Sequence, residues 1–185
     1  MSRCWWVLLA FLAGTATAQA QSSAPSTDPG TKLAFPSTLG GAQLERSVNE
    51  PGQGHGYYYM TPKRMVIAVH VYDGGRRVPA GSDNPVVVAE FAKELDASEQ
   101  QATFAGYANF ERPAVPSTCV YGSVRFRCIS FSAAAQANAR LYSKVLMTGY
   151  HDNFVKIRIE WWPTRQQSAA DADAALQAFV PALMH

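Results

Sequence analysis

Residues 64–72 place apolar side chains on both faces of a single predicted strand. Successive side chains of an extended chain point to opposite faces, so this run divides into two sets. One set is Met65, Ile67, Val69 and Val71, and the other is Val66, Ala68, His70 and Tyr72. A strand that is apolar on both faces lies inside a sheet that is covered on both sides. This segment therefore predicts a sheet buried between other layers of structure.

A long hairpin supplies further strands for that sheet. Residues 140–149 and 154–162 are rich in β-branched and aromatic side chains, and only residues 150–153 separate them. This pattern is typical of two antiparallel strands joined by a turn. In the second arm, one face carries Val155, Ile157, Ile159 and Trp161, and the other carries Phe154, Lys156, Arg158, Glu160 and Trp162. We expect Ile157 and Ile159 to lie at the buried centre of the sheet. Ile67 and Val69 should share that centre.

Two helices are predicted to cover the sheet. Asn84 and Pro85 mark the start of the first, because the missing N–H of proline is not needed at the first helical position. Ser168 is the candidate cap of the second helix, which Pro181 should end or kink. The apolar stripes are Val87, Val88, Phe91, Ala92 and Leu95 in the first helix and Leu176, Phe179, Val180 and Leu183 in the second. An antiparallel sheet covered by segregated helices makes the predicted fold class α+β.

The N-terminal segment, residues 1–20, has the pattern of a Sec-type secretory signal peptide. Arg3 precedes an apolar stretch over residues 5–13, and small residues follow at Ala16, Ala18 and Ala20. The apolar stretch is shorter than the ~20 residues that a membrane-spanning helix needs. We expect cleavage after Ala20, with Ala18 as the alternative and an uncleaved anchor as the competing interpretation. The mature protein should then be periplasmic or secreted, without stable membrane insertion.

The mature chain is expected to contain one folded domain. Residues 21–32 have no large apolar side chain to offset the entropy of ordering, so we predict a disordered leader there. A single domain should follow over residues 33–185. The whole chain has 16 Lys and Arg against 14 Asp and Glu, without a block of one sign. This balance argues against a nucleic-acid partner.

Cys119 and Cys128 are the only cysteines that remain once Cys4 is removed with the signal peptide. An even number of cysteines in an oxidising compartment predicts a disulfide. The two residues lie in neighbouring β-rich runs, and a turn centred between Ser123 and Val124 would place them directly opposite each other. We therefore expect a disulfide that staples this hairpin.

No catalytic, cofactor-binding or metal-binding motif emerges from the sequence. The histidines, His55, His70, His151 and His185, show neither HxH nor HExxH spacing. We interpret His70 as a structural residue, His151 as part of a turn and His185 as a frayed terminus. Ser123 lacks the GxSxG context of a hydrolase nucleophile, and no phosphate-binding glycine loop is present in the sequence. We predict no catalytic residue, no cofactor and no metal ligand.

Aromatic side chains are the feature that could indicate a binding surface. Tyr57, Tyr58 and Tyr59 are consecutive in a predicted strand, so they cannot all face one side. Trp162 shares its predicted face with charged residues of the second hairpin arm. We take these four residues as a possible binding surface. The alternative is that their rings cover both faces of the sheet beneath the helices.

The leading functional hypothesis is an exported, non-catalytic envelope module that binds a protein partner or a small ligand. One alternative is a periplasmic hydrolase with a histidine site assembled from distant residues, such as His70 or His151 with an acidic partner. The other is a purely structural envelope protein. A solvent-open pocket with a histidine in hydrogen-bond reach of both a carboxylate and a hydroxyl would favour the enzyme.

Several short phrases carry a resemblance to a known group of proteins. They are Phe35-Pro36 followed by Leu39-Gly40-Gly41, the segment VHVYDG at residues 69–74, and Val155-Lys156-Ile157-Arg158 before the final helix. With them, the chain resembles small uncharacterised bacterial exported proteins with the α-β-α sandwich of the PsbP-like and DcrB-like group. The resemblance covers residues 33–184 and implies that fold, but it assigns no functional residue.

Overall fold

A nine-stranded antiparallel sheet forms the centre of the fold. The computed structural model describes residues 25–50, 54–135 and 139–184, and these form one α+β domain. The predicted signal peptide, residues 1–20, lies outside the described residues, as does His185. No helix within the described ranges is long and apolar enough to cross a membrane.

The elements follow one another along the chain with one long helix between two groups of strands. The described strands are β1 (Ser26–Thr27), β2 (Ala34–Phe35), β3 (Thr38–Leu39), β4 (Ala42–Glu50), β5 (Gly54–Met60), β6 (Val66–Tyr72), β7 (Ala108–Glu111), β8 (Ser117–Tyr121), β9 (Val124–Ala134), β10 (Arg140–Tyr150) and β11 (Asn153–Trp161). The helices are α1 (Pro85–Phe104) and α2 (Ala169–Leu183), and a short 3₁₀ helix covers Pro163–Arg165.

Two meanders meet in the middle of the main sheet. Strands β3, β4, β5 and β6 pair in that order, and so do β9, β10 and β11. The last strand of each meander, β6 and β11, then pair with each other. β7 and β8 pair with different parts of the outer edge of β9, while β1 and β2 form a separate small sheet. The chain passes from one meander to the other through α1.

The centre of the sheet is the one predicted from the alternating apolar runs. Ile157 of β11 pairs with Val69 of β6, and Ile159 pairs with Ile67. All four side chains are 0% exposed. The predicted facing of both strands is therefore confirmed.

The two helices pack on opposite faces of the sheet. On β10, Leu146 packs in a cluster with α2, whereas its neighbours Val145 and Met147 pack in a separate cluster with α1. Consecutive side chains of a strand point to opposite faces, so the two clusters lie on the two sides of the sheet. The prediction of a sheet covered on both sides is confirmed at this strand.

Helix starts were predicted more accurately than one helix end. Asn84 caps α1 by accepting a hydrogen bond from Val87 N at 2.9 Å, and Ser168 forms a capping box with Asp171. Of the two predicted effects of Pro181, the end of α2 is wrong, because the helix continues to Leu183, and the kink stays a prediction. Proline removes only one N–H from the helical ladder there, which is a small loss in the last turn.

Residues 25–32 differ from the expected disordered leader. β1 pairs with β2, and Asp28 is only 1% exposed. Its Oδ1 atom accepts hydrogen bonds from Gly30 N at 3.1 Å and from Thr31 N and Oγ1, both at 2.8 Å. A side-chain carboxylate thus orders a turn that has no large apolar residue. Residues 21–24 lie outside the described residues.

The predicted register of Cys119 and Cys128 is wrong. Tyr121 pairs with the first residue of β9, so the turn is centred between Gly122 and Ser123 and Cys119 lies opposite Phe126. Gly122 has φ of 61°, a left-handed conformation that glycine adopts without strain. The turn therefore forms one residue earlier than expected, and the cysteines lie diagonally across the two strands.

Replacing Ile157 with Ala tests the centre of the sheet. The substitution leaves a cavity at a fully buried position, so the free energy of unfolding should fall by about 2–5 kcal/mol, measured by chemical denaturation. Val120→Ala on β8 is the control, because Val120 is 52% exposed. It should change stability by less than about 0.5 kcal/mol. Equal losses at the two positions would contradict the central place of Ile157.

Candidate functional site

α1 covers only part of the sheet face on which it lies. Its buried residues Val87, Phe91 and Leu95 pack with β9 and β10. The remaining part of that face, formed by β4, β5, β6 and β11, borders a cavity of about 440 Å³ between the sheet and α1. We call this cavity the polar cleft, and its polar and aromatic lining consists of Arg46, Tyr58, His70, Glu94, Gln101, Lys156, Arg158 and Glu160.

Because side chains alternate along β11, its charged residues face the polar cleft. Ile157 points into the core beneath α2, so its neighbours Lys156 and Arg158 point to the opposite face. Glu160 follows on the same face, and antiparallel pairing sets Lys156 opposite His70. A central strand thereby presents three charged side chains in a row beneath α1.

Both carboxylates of the polar cleft are held in ion pairs. Lys156 Nζ lies 2.8 Å from Glu94 Oε2 of α1, and both side chains are less than one-fifth exposed. Arg158 Nη2 lies 2.7 Å from Glu160 Oε1. Because each acid is already matched by a base, these two pairs add no net charge to the polar cleft.

Arg46 gives the polar cleft a surplus positive charge. It forms no ion pair with a described residue, and its guanidinium carbon lies 4.0 Å from the ring centroid of Tyr58. The Tyr58 ring in turn meets the His70 ring edge-on, with 5.7 Å between the centroids. A guanidinium over an aromatic face is held in place without being neutralised. Arg46 can therefore still attract an anion.

Arg158 is incompletely hydrogen-bonded. Its Nη2 donates to Ser143 Oγ at 3.4 Å and its Nη1 to Gln101 Oε1 at 3.5 Å, both long for hydrogen bonds. Its Nε is buried and has no hydrogen-bond partner among the described residues. A guanidinium carries five N–H donors, and a buried donor without an acceptor is unfavourable. The side chain therefore has capacity for another acceptor.

His70 is held neutral inside the polar cleft. Burial lowers the pKa of His70 from 6.5 to about 4, and the positive charges of Lys156, Arg158 and Arg46 act in the same direction. No hydrogen bond joins His70 to a carboxylate or hydroxyl within the described residues. The ring therefore adds neither a charge nor an oriented base to the cleft at neutral pH.

A second cavity, of about 200 Å³, lies beneath the last turns of α1. We call it the apolar pocket, defined by Ala102, Ala105, Tyr107, Phe131, Ala133 and Leu141. It shares Gln101, Arg158 and Glu160 with the polar cleft. The guanidinium of Arg158 thus stands where the two cavities meet.

The aromatic residues predicted as a possible binding surface separate into two groups. Tyr57 and Tyr59 are 3% and 0% exposed, so their rings belong to the core beneath α2. Tyr58 lines the polar cleft. Trp162 lies edge-on to Tyr107 of the apolar pocket, with 6.3 Å between the ring centroids. Tyr58 borders one cavity directly, and Trp162 supports a wall of the other.

The cations of the polar cleft were not among the residues selected from the sequence. The sequence does show that one face of β11 is partly charged. The alternation of Lys156, Arg158 and Glu160 with isoleucines is the signal that indicates a charged surface on the face opposite the core. Arg46 gives no such signal, because it lies on β4 and reaches the cleft only through the sheet pairing.

A separate histidine–carboxylate contact lies near the N-terminal turn. His55 Nδ1 is 3.2 Å from Asp28 Oδ2, beside a cavity of about 480 Å³. The hydrogen bonds described for His55 include this carboxylate but no hydroxyl of a described residue. His151 lies in an exposed turn, with its ring stacked on Tyr150 at 4.4 Å. Neither histidine completes the arrangement that would favour a hydrolase.

The two cysteines lie side by side, and no disulfide bond joins them in the structure. Their Sγ atoms are 2.5 Å apart, which is longer than the about 2.05 Å of a disulfide. A hydrogen bond from Cys119 lowers the pKa of Cys128 to about 6, and the same contact raises the pKa of Cys119. Ser117 Oγ lies 3.3 Å from Cys128 Sγ. When the pair is reduced, Cys128 is therefore the more acidic of the two thiols.

The pH dependence of stability tests the environment of His70. Because its pKa is about 4 when folded and 6.5 as the reference value, the unfolded state binds more protons between these pH values. Stability should therefore fall as the pH is lowered from 6.5 to 4. His70→Gln should reduce this fall in thermal unfolding experiments, whereas His151→Asn at the exposed turn should retain it. An unchanged pH slope in His70→Gln would contradict the neutral, buried ring.

The described residues contain no group of three or more His, Cys, Asp or Glu side chains that could hold a metal ion. The geometry instead sets a cleft with a surplus positive charge beside a small apolar pocket. No protein-family model matches the chain, and a search of curated proteins finds no relative.

Proposed function

We propose that the protein is an exported, non-catalytic binding module that takes up a small anionic ligand in the polar cleft. The observation that carries this proposal is the unmatched cationic capacity of the cleft. Arg46 has no ion-pair partner among the described residues, and Arg158 Nε has no acceptor there. An anionic ligand would place a negative charge beside the Arg46 guanidinium and a hydrogen-bond acceptor within reach of Arg158 Nε.

The placement of the cations favours a small ligand as the binding partner, and not a protein with a flat interface. Lys156 and Arg158 are each less than one-fifth exposed, so a partner must enter the cleft to approach them. Arg46 lies at an exposed position and can attract an anion from solution. Electrostatic attraction is stronger in a partly buried cleft than at an open surface, because less water screens it.

A binding role accounts for His70 better than catalysis does. A general base works best with a pKa near the operating pH and with a group that orients its ring. The pKa of His70 is about 4, and the positive charges around it oppose protonation. A bound anion would offset those charges, so we expect the pKa of His70 to rise when the ligand binds.

Export and the finer details of the fold belong to the same proposal. We propose that the N-terminal pattern directs the chain through the Sec route and that the domain belongs to the α-β-α sandwiches of the PsbP-like and DcrB-like group; helices on both faces of the sheet support the second part. In an oxidising compartment, Cys119 and Cys128 then form a disulfide across β8 and β9. The small separation of their sulfur atoms supports this pairing.

Calorimetric titration with inorganic phosphate and with acetate tests the binding function. Both probes should bind saturably at low ionic strength, and added salt should weaken binding. Arg46→Gln should weaken it about tenfold, because a hydrogen bond to a charged group contributes roughly 1.5 kcal/mol or more. Arg125→Gln removes the same charge from an exposed position on β9, outside the polar cleft, and should bind like the parent.

If neither phosphate nor acetate binds saturably, the proposed function is refuted. Equal weakening in Arg46→Gln and Arg125→Gln would also refute it, since the effect would then follow net charge and not the polar cleft. Nuclear magnetic resonance adds an independent readout, because the His70 ring should show a higher pKa in the presence of phosphate.

Thiol titration tests the disulfide. Mature protein unfolded without reductant should contain no free thiol, and two should appear after reduction. Cys119→Ser should lower the free energy of unfolding by roughly 2–3 kcal/mol on the chain-entropy model, because it releases a short closed loop. Two free thiols in the unreduced protein would show that the cysteines remain unpaired.

A further inference from the structure

The polar cleft and the apolar pocket are neighbouring cavities of different chemical character. Three residues, Gln101, Arg158 and Glu160, line both cavities. Arg46, Glu94 and Lys156 line the polar cleft alone. The rest of the wall of the apolar pocket consists mainly of small and apolar side chains beneath the end of α1. A ligand that reaches Arg158 through the cleft therefore contacts a side chain that also lines the apolar pocket.

We propose that the ligand is an organic anion with a short apolar tail. Its anionic head faces Arg46 and Arg158 in the polar cleft, and its tail occupies the apolar pocket. This inference rests on the proposed function and names the ligand class. An inorganic anion would satisfy the cations but leave the apolar pocket unused, whereas a neutral apolar molecule would leave the cations unmatched.

Arg158 is suited to the junction between head and tail. Its guanidinium carbon lies 5.2 Å from the ring centroid of Phe131, which also lines the apolar pocket. Its charge is partly offset by Glu160, whose Oε1 also accepts from Ser143 Oγ at 3.3 Å. The Glu160 carboxylate thus faces a positive charge and a hydroxyl donor at Oε1, which reduces its repulsion of an incoming anion. A planar guanidinium can stack on a ring while it donates to an anion at its edge.

The volume of the apolar pocket limits the length of the tail. At about 30 Å³ for each methylene-sized group, by comparison with the volume of a water molecule, the cavity of about 200 Å³ holds roughly six such groups. The walls that would contact the tail include Phe131, Ala133 and Leu141. Linear carboxylates should therefore gain affinity with length up to about octanoate and gain little beyond it.

A chain-length series measured by calorimetry tests this ligand class. The probes are acetate, butanoate, hexanoate, octanoate and decanoate at constant ionic strength, with octanol as the neutral counterpart of octanoate. Affinity should rise two- to fourfold for each added methylene until the pocket is full, because burying a methylene contributes up to about fourfold in affinity. Octanol should bind at least tenfold more weakly than octanoate.

Two leucine variants on α1 and its cap locate the tail. Ala105 is exposed to solvent at one side and lines the apolar pocket, so Ala105→Leu should narrow the pocket without changing the core. It should reduce the ratio of octanoate to acetate affinity at least tenfold. Gln100→Leu adds the same side chain nearby, at a residue outside both cavities, and should keep the parent ratio.

The outcomes distinguish this inference from the proposed function. If acetate and phosphate bind but longer chains bind no more tightly, the tail is refuted and the anion-binding function stands. If octanol binds as tightly as octanoate, or if both leucine variants alter the ratio equally, the proposed ligand class is wrong. If no anion binds at all, both proposals fail.

Discussion

The pairing of β6 with β11 is the contact on which the rest of the structure depends. It joins two meanders that are far apart in sequence, and it buries four branched side chains in register at the middle of the sheet. Once Ile157 faces the core beneath α2, alternation sends Lys156 and Arg158 to the face beneath α1. The hydrophobic pairing on one side thus determines where the charges lie on the other.

Those charges prevent α1 from packing on the sheet through apolar contacts alone. Phe91 and Leu95 bury their side chains against β9 and β10, whereas Glu94 of the same helix meets Lys156 in an ion pair that is mostly shielded from water. Removing one partner of such a pair would leave a poorly solvated charge. The helix is therefore held by packing along one side and by electrostatics along the other, and the polar cleft lies on the electrostatic side.

Sequence patterns predicted the parts of the fold in which a residue's surroundings follow from its near neighbours. The facing of Ile157 and the cap at Asn84 are of this kind. Cys119 shows the limit of such patterns. A turn shifted by one residue changes every partner across the strands, and in the observed turn Gly122 adopts a left-handed conformation. Arg46 shows another limit, because its place in the cleft depends on long-range pairing and a neighbouring ring. Neither appears in the local sequence.

The two ends of α1 are attached to the sheet very unequally. At its N-terminal end, Asn84 Nδ2 bonds to the carbonyl oxygens of Pro79 and Gly81, and Gly81 exchanges two backbone hydrogen bonds with Gly149 of β10. At the C-terminal end, the capping hydrogen bonds join the last turn to the residues that directly follow it, as in the bond from Tyr107 N to Ala102 O at 2.9 Å. The last turns of α1 roof the apolar pocket, and the hydrogen bond from Arg158 Nη1 to Gln101 Oε1 that ties them to the sheet is long at 3.5 Å. A guest too bulky for the pocket would therefore push against the more weakly attached end of the helix.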